Sequence, residues 1–314
     1  MNLFRLFLKI SLILLMQILH GQQTEPWQIK LSKGRLAGTL LLADSTQQTP
    51  VVLLIPGSGP TDRNGNSISL KNNALKLLAD SLAQHHISSL RIDKRMVGQS
   101  RFKDLTEKDL TFDRFVQDVI LWLQKLKNDK RFSKIIVAGH SQGALTGLLA
   151  AQKIPVAAYI SISGAGRPIN EVLKQQLQGL VPQVKQKAYH IIDSLSRGYS
   201  IPHISGPLFM LFRPSVQKFL STWMKYDPAI ELSKLSIPIL IVHGTTDLQI
   251  PVKDAKRLKK MNPKAKLVII KDMNHVLKKA GADRQENLKT YHQPHRALHP
   301  QLMPALVDFI KHLQ

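Results

Sequence analysis

The chain has 314 residues, 43% of them hydrophobic, enough for one large α/β domain or two smaller ones. It has no cysteine, which excludes disulfides, thiolate metal sites and cysteine nucleophiles; an exported protein with a large core can do without disulfides. The formal net charge of +23 suits a surface drawn weakly to anionic membranes or polyanions, but the lysines are dispersed and no aromatic-interleaved basic motif points to nucleic acid.

At the start of the chain, Arg5 and Lys9 precede an apolar run over 10–19, and His20, Gly21 and Gln22 follow. This pattern predicts a secretory signal peptide over 1–21, cleaved after Gly21, with a periplasmic or secreted product. Leu19 fits poorly two positions upstream of that site, and an uncleaved anchor is the alternative, though the run is short for a membrane span. Residues 22–314 then form the expected folded domain. Two strands, 27–31 and 35–43, flank Ser32-Lys33-Gly34 as an opening hairpin. The run 51–55 is a continuous apolar strand broken by Pro56-Gly57-Ser58-Gly59-Pro60. A helix over 72–84, a short strand over 88–92 and an amphipathic helix over 112–127 follow. Next come a β-branched strand over 135–137, a helix rich in small residues from Ala144, and a strand over 156–163. The stretch 167–222 is rich in Gln, Lys and Leu, is interrupted by Pro182, Pro202, Pro207 and Pro214, and has no buried-strand run. It reads as a helical cap inserted over the sheet. Strands over 238–243 and 266–271 and a helix over 304–313 complete the pattern. Alternating strands and helices imply a mostly parallel sheet covered on both faces.

The chemistry gathers around Gly139-His140-Ser141-Gln142-Gly143, a G-x-S-x-G turn between a β-branched strand and a helix. Such a turn crowds the serine, so its neighbours two positions away must be small. A serine hydroxyl needs a base, and the base needs an acid to hold its tautomer. Asp247 follows one late strand and His275 the next, where sites in open α/β sheets sit. The order Ser141, Asp247, His275 is that of an α/β-hydrolase triad. Asp272 is a rival acid, but three residues from His275 it favours a local contact. A tetrahedral intermediate needs two oxyanion donors. The N–H of Gln142 is one; the N–H of Ser58 is the other, with Gly57 and Gly59 as alternatives that also let the loop approach a substrate. No G-K-[ST] follows to support phosphate cradling. Asp62 and Arg63 either line the pocket or pair structurally. His292, His295 and His299 could suggest a metal, but three histidines in a Pro-containing loop are more often solvated or packed. No metal and no cofactor is called for.

These segments resemble the α/β-hydrolase superfamily, close to its bacterial serine-aminopeptidase-like and esterase-like members. The resemblance rests on PGSGPTDR-G-N at 56–66, DKR at 93–95, the GHS-G turn at 139–143, HGTTD at 243–247 and NHV at 274–276. Met96 departs from the glycine these proteins usually carry after DKR. The resemblance implies an α/β-hydrolase fold with a mixed eight-stranded sheet, a cap after the sixth strand, and Ser141, Asp247 and His275 as catalytic residues. It does not name a substrate. Between 168 and 222 the acids are Glu171 and Asp193, against Lys174, Lys185, Lys187, Arg197, Arg213 and Lys218. That balance favours neutral or anionic small-molecule esters over an ammonium-bearing peptide end. Thioesterase and peptidase activity rank behind ester hydrolysis. A non-catalytic binding protein on the same scaffold would be expected to lack a triad member.

Overall fold

A computed structural model describes residues 22–313; the signal-peptide expectation over 1–21 lies outside the described residues. The chain opens with β1 (Gln23–Leu31) and β2 (Gly34–Leu42), an antiparallel hairpin. Gly34 begins β2, and the requirement there is space: a Cβ would stand 2.2 Å from the Arg101 carbonyl oxygen. β3 (Thr49–Ile55), α1 (Ala74–Ala83) and β4 (Ser88–Ile92) follow. A two-residue strand absent from the sequence reading, β5 (Arg101–Phe102), pairs with the start of β2. The motif that positions the candidate site comes next: α2 (Phe112–Lys127), β6 (Phe132–His140), α3 (Gln142–Ala151) and β7 (Ala158–Ile162).

Between β7 and the next strand the chain is helical: α4 (Ile169–Gln176), α5 (Pro182–Ser196), α6 (Phe209–Phe212), α7 (Pro214–Trp223) and α8 (Pro228–Ser233). Pro182 and Pro214, which read as interruptions in the sequence, stand in the first turns of α5 and α7. The missing N–H costs nothing there, because those amides have no intrahelical partner. The chain ends with β8 (Ile239–Gly244), α9 (Val252–Met261), β9 (Lys266–Ile270), α10 (Arg284–Lys289) and α11 (Leu302–Lys311).

The main sheet has the order β1-β2-β4-β3-β6-β7-β8-β9, with β5 beside β2. β2 runs antiparallel to both its main neighbours, and every pairing from β4 to β9 is parallel. The alternation of side chains across a strand splits the core in two. Val51, Leu53, Ile55 and Val137 pack with α2, α3, α8 and α9; Val52, Leu54, Ile136 and Ala138 pack with α1 and α11 on the other face. Helices α4, α5 and α7 close on a third cluster that includes Leu173, Ile192, Phe212, Leu220 and, from the loop after β8, Ile250.

Past β4, Met96 takes φ +67°. A methionine here adopts a backbone that glycine enters freely. Gly98 also has positive φ, and a Cβ on it would meet Asp93 Oδ2 at 2.2 Å. Left-handed backbone costs a non-glycine residue about 1–2 kcal/mol, partly offset in a glycine variant by its freer unfolded chain. Met96→Gly is therefore expected to raise stability by up to about 1 kcal/mol. The midpoint of urea denaturation at constant slope measures it.

Candidate active site

Ser141 sits at the turn from β6 into α3 with φ 54° and ψ −120°, a conformation costing about 1–3 kcal/mol that packing must hold. Its N–H donates to the Ile162 carbonyl at 3.0 Å, and its carbonyl accepts from the Ala144 N–H at 3.0 Å. The glycines at both ends of the motif are forced by space. A Cβ on Gly139 would lie 2.1 Å from the Gly143 oxygen. One on Gly143 would lie 2.3 Å from the Ile55 oxygen and 2.6 Å from the Pro56 oxygen. Gln142 is the first residue of α3, so its N–H is one of the helix amides left without an intrahelical acceptor.

Asp247 and His275 come from the loops after β8 and β9. The Nδ1–H of His275 donates to Asp247 Oδ2 at 2.7 Å. Both side chains are buried, that of Asp247 completely. Oδ1 of Asp247 accepts from the backbone N–H groups of Gln249 and Ile250 at 2.8 and 2.9 Å. Burial pushes this carboxyl up, but the His275 and His243 rings and the Ile250 N–H outweigh it and hold the group below the usual carboxylate range. Asp272 makes no hydrogen bond to His275 among the described residues; its N–H donates to Thr245 Oγ1 at 2.9 Å.

Two further histidines frame this pair. His140 Nε2 donates to the His275 carbonyl at 2.7 Å, and the two rings lie 4.9 Å apart. Loss of water around the His140 ring, with His275 beside it, pushes the imidazole down to about 4, so it is neutral at pH 7. His243 is fully buried, and its Nε2 donates to the Ile250 carbonyl at 2.8 Å. The Asn274 side chain donates to Asn287 Oδ1 at 2.9 Å and Thr290 Oγ1 at 2.7 Å, fixing the turn that carries His275. Among the described residues, neither the Ser141 hydroxyl nor His275 Nε2 has a hydrogen-bond partner. Such contacts are often long until substrate binds.

The loop 56–60 reaches the serine. A Cβ on Gly57 would lie 3.3 Å from Ser141 Cβ and 3.5 Å from His140 Nδ1. Ser58 and Gly59 are exposed, and Gly59 has φ +70°. Asp62 and Arg63 serve the architecture of the adjoining turn. Asp62 Oδ1 accepts from the N–H groups of Asn64 and Asn66. Arg63, 9% exposed, donates from Nη2 to Asp93 Oδ2 at 2.5 Å and from Nη1 to Thr39 Oγ1 at 2.7 Å. His292 and His295 are exposed and His299 is buried. No group of three or more metal-ligating side chains is placed to hold an ion among the described residues. Lys94, the middle residue of DKR, donates from Nζ to the carbonyls of both Gly57 and Gly59. Its position next to Asp93 was visible in the sequence, but nothing local signalled where its ammonium would reach.

Comparison with known proteins agrees with the fold. A family model described as "Serine aminopeptidase, S33" matches residues 72–279. Esterase EstD of Thermotoga maritima is 28% identical over 251 residues, covering 77% of this chain and 58% of that protein. This chain therefore spans a little over half the length of that curated relative. Among solved structures, Est1E of Butyrivibrio proteoclasticus with ferulic acid bound superposes with a TM-score of 0.62 at 19% identity, covering 91% of this chain and 98% of that one. The Pyrococcus furiosus esterase Pf2001 gives a TM-score of 0.57 at 14% identity, with 93% of each chain covered.

The contact of the turn with β3 has a direct test. A methyl group at position 143 must push the Ile55 and Pro56 carbonyls away. Gly143→Ala is expected to lose at least about 2 kcal/mol, read as a drop in Tm.

Proposed function

Because the chain belongs to the serine aminopeptidase-like family of α/β-hydrolases, we propose that it is an exported serine hydrolase cleaving carboxylic esters of small molecules through an acyl-enzyme. The observation that carries this reading is the buried His275–Asp247 pair at 2.7 Å beside a strained serine turn. Asp247 fixes the Nδ1–H tautomer of His275 and leaves Nε2 as the base. As Ser141 Oγ adds to the ester carbonyl, Nε2 takes the hydroxyl proton. Asp247 stabilises the resulting imidazolium without taking its proton. The N–H groups of Gln142 and Ser58 receive the oxyanion. The tetrahedral species collapses as His275 returns its proton to the leaving alcohol. Water, deprotonated by His275 in turn, then releases the acid and regenerates Ser141.

The family description also raises an aminopeptidase, which must hold a cationic N-terminus. The charges of 168–222 argue against that. Asp193 is already paired with Lys174, while Lys185, Lys187, Arg197 and Lys218 carry no ion pair among the described residues. The similarity to EstD, an esterase, supports the ester reading. We read the helices α4 to α7 as a cap over the site. Residues 1–21 serve in this proposal as the export signal, and the basic surface suits weak attraction to anionic membrane faces or polyanions.

Ser141→Ala is expected to lower turnover of short p-nitrophenyl esters by at least about 10³-fold and to abolish labelling by a fluorophosphonate. Asp247→Asn is expected to lower kcat by about 10³–10⁴-fold with a smaller change in KM. Absence of both turnover and labelling in the folded wild-type protein overturns the proposal. Edman sequencing of protein recovered from the periplasmic fraction is expected to begin at Gln22; a chain still starting at Met1 argues for the uncleaved anchor.

A further inference from the structure

We infer that Lys94 is a positioning residue for the oxyanion loop: its buried ammonium holds the Gly57 and Gly59 carbonyls and so turns the Ser58 N–H toward the carbonyl that Ser141 attacks. This rests on the esterase reading above and extends it to a residue outside the triad.

The geometry comes from the peptide unit. Lys94 follows Asp93 at the end of β4, is 8% exposed, and its Nζ donates to the carbonyl oxygens of Gly57 and Gly59. In a trans peptide the carbonyl and the N–H of the next residue point in opposite directions. Fixing the Gly57 carbonyl on Lys94 therefore fixes the Ser58 N–H on the side away from Lys94. The Gly57 backbone lies against Ser141 and His140. The second anchored peptide joins Gly59 to Pro60, which has no N–H to offer. Of the two peptides that Lys94 grips, only the one ending at Ser58 can donate to an oxyanion. Lys94 also polarises that peptide, since a positive charge on a carbonyl strengthens its N–H as a donor. Thr61 Oγ1 ties down the next carbonyl by donating to the Ser58 oxygen at 2.7 Å.

The surroundings do not neutralise the ammonium. Asp93 receives Arg63 and the Gln99 N–H. Asp118 on α2, which lines the same small cavity as Lys94, receives Nε of Arg95 at 2.9 Å. His140, on the far side of Gly57, is neutral. The Phe115 ring lies 5.9 Å from Nζ. Stripped of water and with nearby acids already paired, Lys94 is pushed down by burial to about 7. An unpaired buried cation is costly, and such groups concentrate where they serve a site. The sign of the pH effect follows. Below pH 7 the ammonium grips both carbonyls with charge-assisted bonds; as pH rises through 7 the charge is lost, the bonds weaken and the donor loosens.

The test compares wild type, Lys94→Met and Lys94→Arg in the full chain. It measures p-nitrophenyl acetate hydrolysis from pH 5 to 9, fluorophosphonate labelling rates, and Tm. Removing an oxyanion donor outright costs about 10²–10³ in kcat, so loosening one is expected to cost about 10–100-fold. Lys94→Met is expected to stay folded, to lose that much in both kcat and labelling rate with KM changed less than about threefold, and to lack the fall in kcat expected of wild type above pH 7. Lys94→Arg, permanently cationic, is expected to keep more activity and also to lose the fall. If Lys94→Met does not fold, the pH profile of Lys94→Arg decides. A kcat for Lys94→Met within twofold of wild type across the range, or an unchanged alkaline fall in either variant, overturns the inference while the esterase reading stands. A wild type that neither hydrolyses esters nor takes the label overturns both.

Discussion

The arrangement of the site depends on how tightly the turn from β6 into α3 presses against the end of β3. With glycine at 143, the turn comes close enough to the Ile55 and Pro56 carbonyls that any side chain would collide with them. That contact brings the loop beginning at Pro56 alongside Ser141, so the proposed nucleophile and the proposed oxyanion donors lie close together. Gly139 lets the turn close on itself in the same way. The backbone strain at Ser141 is held by hydrogen bonds to Ile162 and Ala144, with Ala138, Leu145 and Leu148 buried in the core on either side. Rigid elements hold the reacting groups more precisely than loops alone could.

A second constraint is the tying-down of the loops beyond β8 and β9. Asp247 is held by two backbone N–H groups, and one of them belongs to Ile250. The carbonyl of Ile250 receives His243, while its side chain joins the apolar cluster of α4, α5 and α7. One residue thus links the acid loop to the helices inserted between β7 and β8. On the opposite flank, α7 leans on the start of α2: Trp223 stacks on Phe112 at 5.6 Å, and the Phe112 N–H donates to Thr222 Oγ1 at 2.9 Å. The inserted helices are coupled to the site through packing and need no residue in the triad.

Charge is handled unevenly. The buried acids Asp93 and Asp118 are matched by Arg63 and Arg95, whose planar forks suit carboxylates. Lys94 stands between those pairs and spends its donors on backbone carbonyls. Histidine is used in the same sorted way. Burial pushes the His140 and His243 rings down and both donate to carbonyls, while His275 is the one of the three that hydrogen-bonds the Asp247 carboxylate.

Much of this was legible in the chain itself. β-branched runs marked β3 and β6, and G-x-S-x-G marked the turn at Ser141, because strands and tight turns are written in residues a few positions apart. Asp247 and His275 were readable because each closes a strand. The short β5 was not, since Arg101 and Phe102 become a strand only by meeting Gly34 and Arg35. The role of Arg63 is not written locally, because its guanidinium goes to Asp93, thirty residues on. Pro182 and Pro214 read as breaks because their place in a first turn depends on where each helix begins. Read alone, the sequence sets the order of the main elements and proposes Ser141, Asp247 and His275 as the reacting groups. Which acid hydrogen-bonds His275, what Arg63 grips and where the Lys94 ammonium ends come from the fold. Those outcomes depend on distances between residues far apart in the chain, which local pattern does not encode.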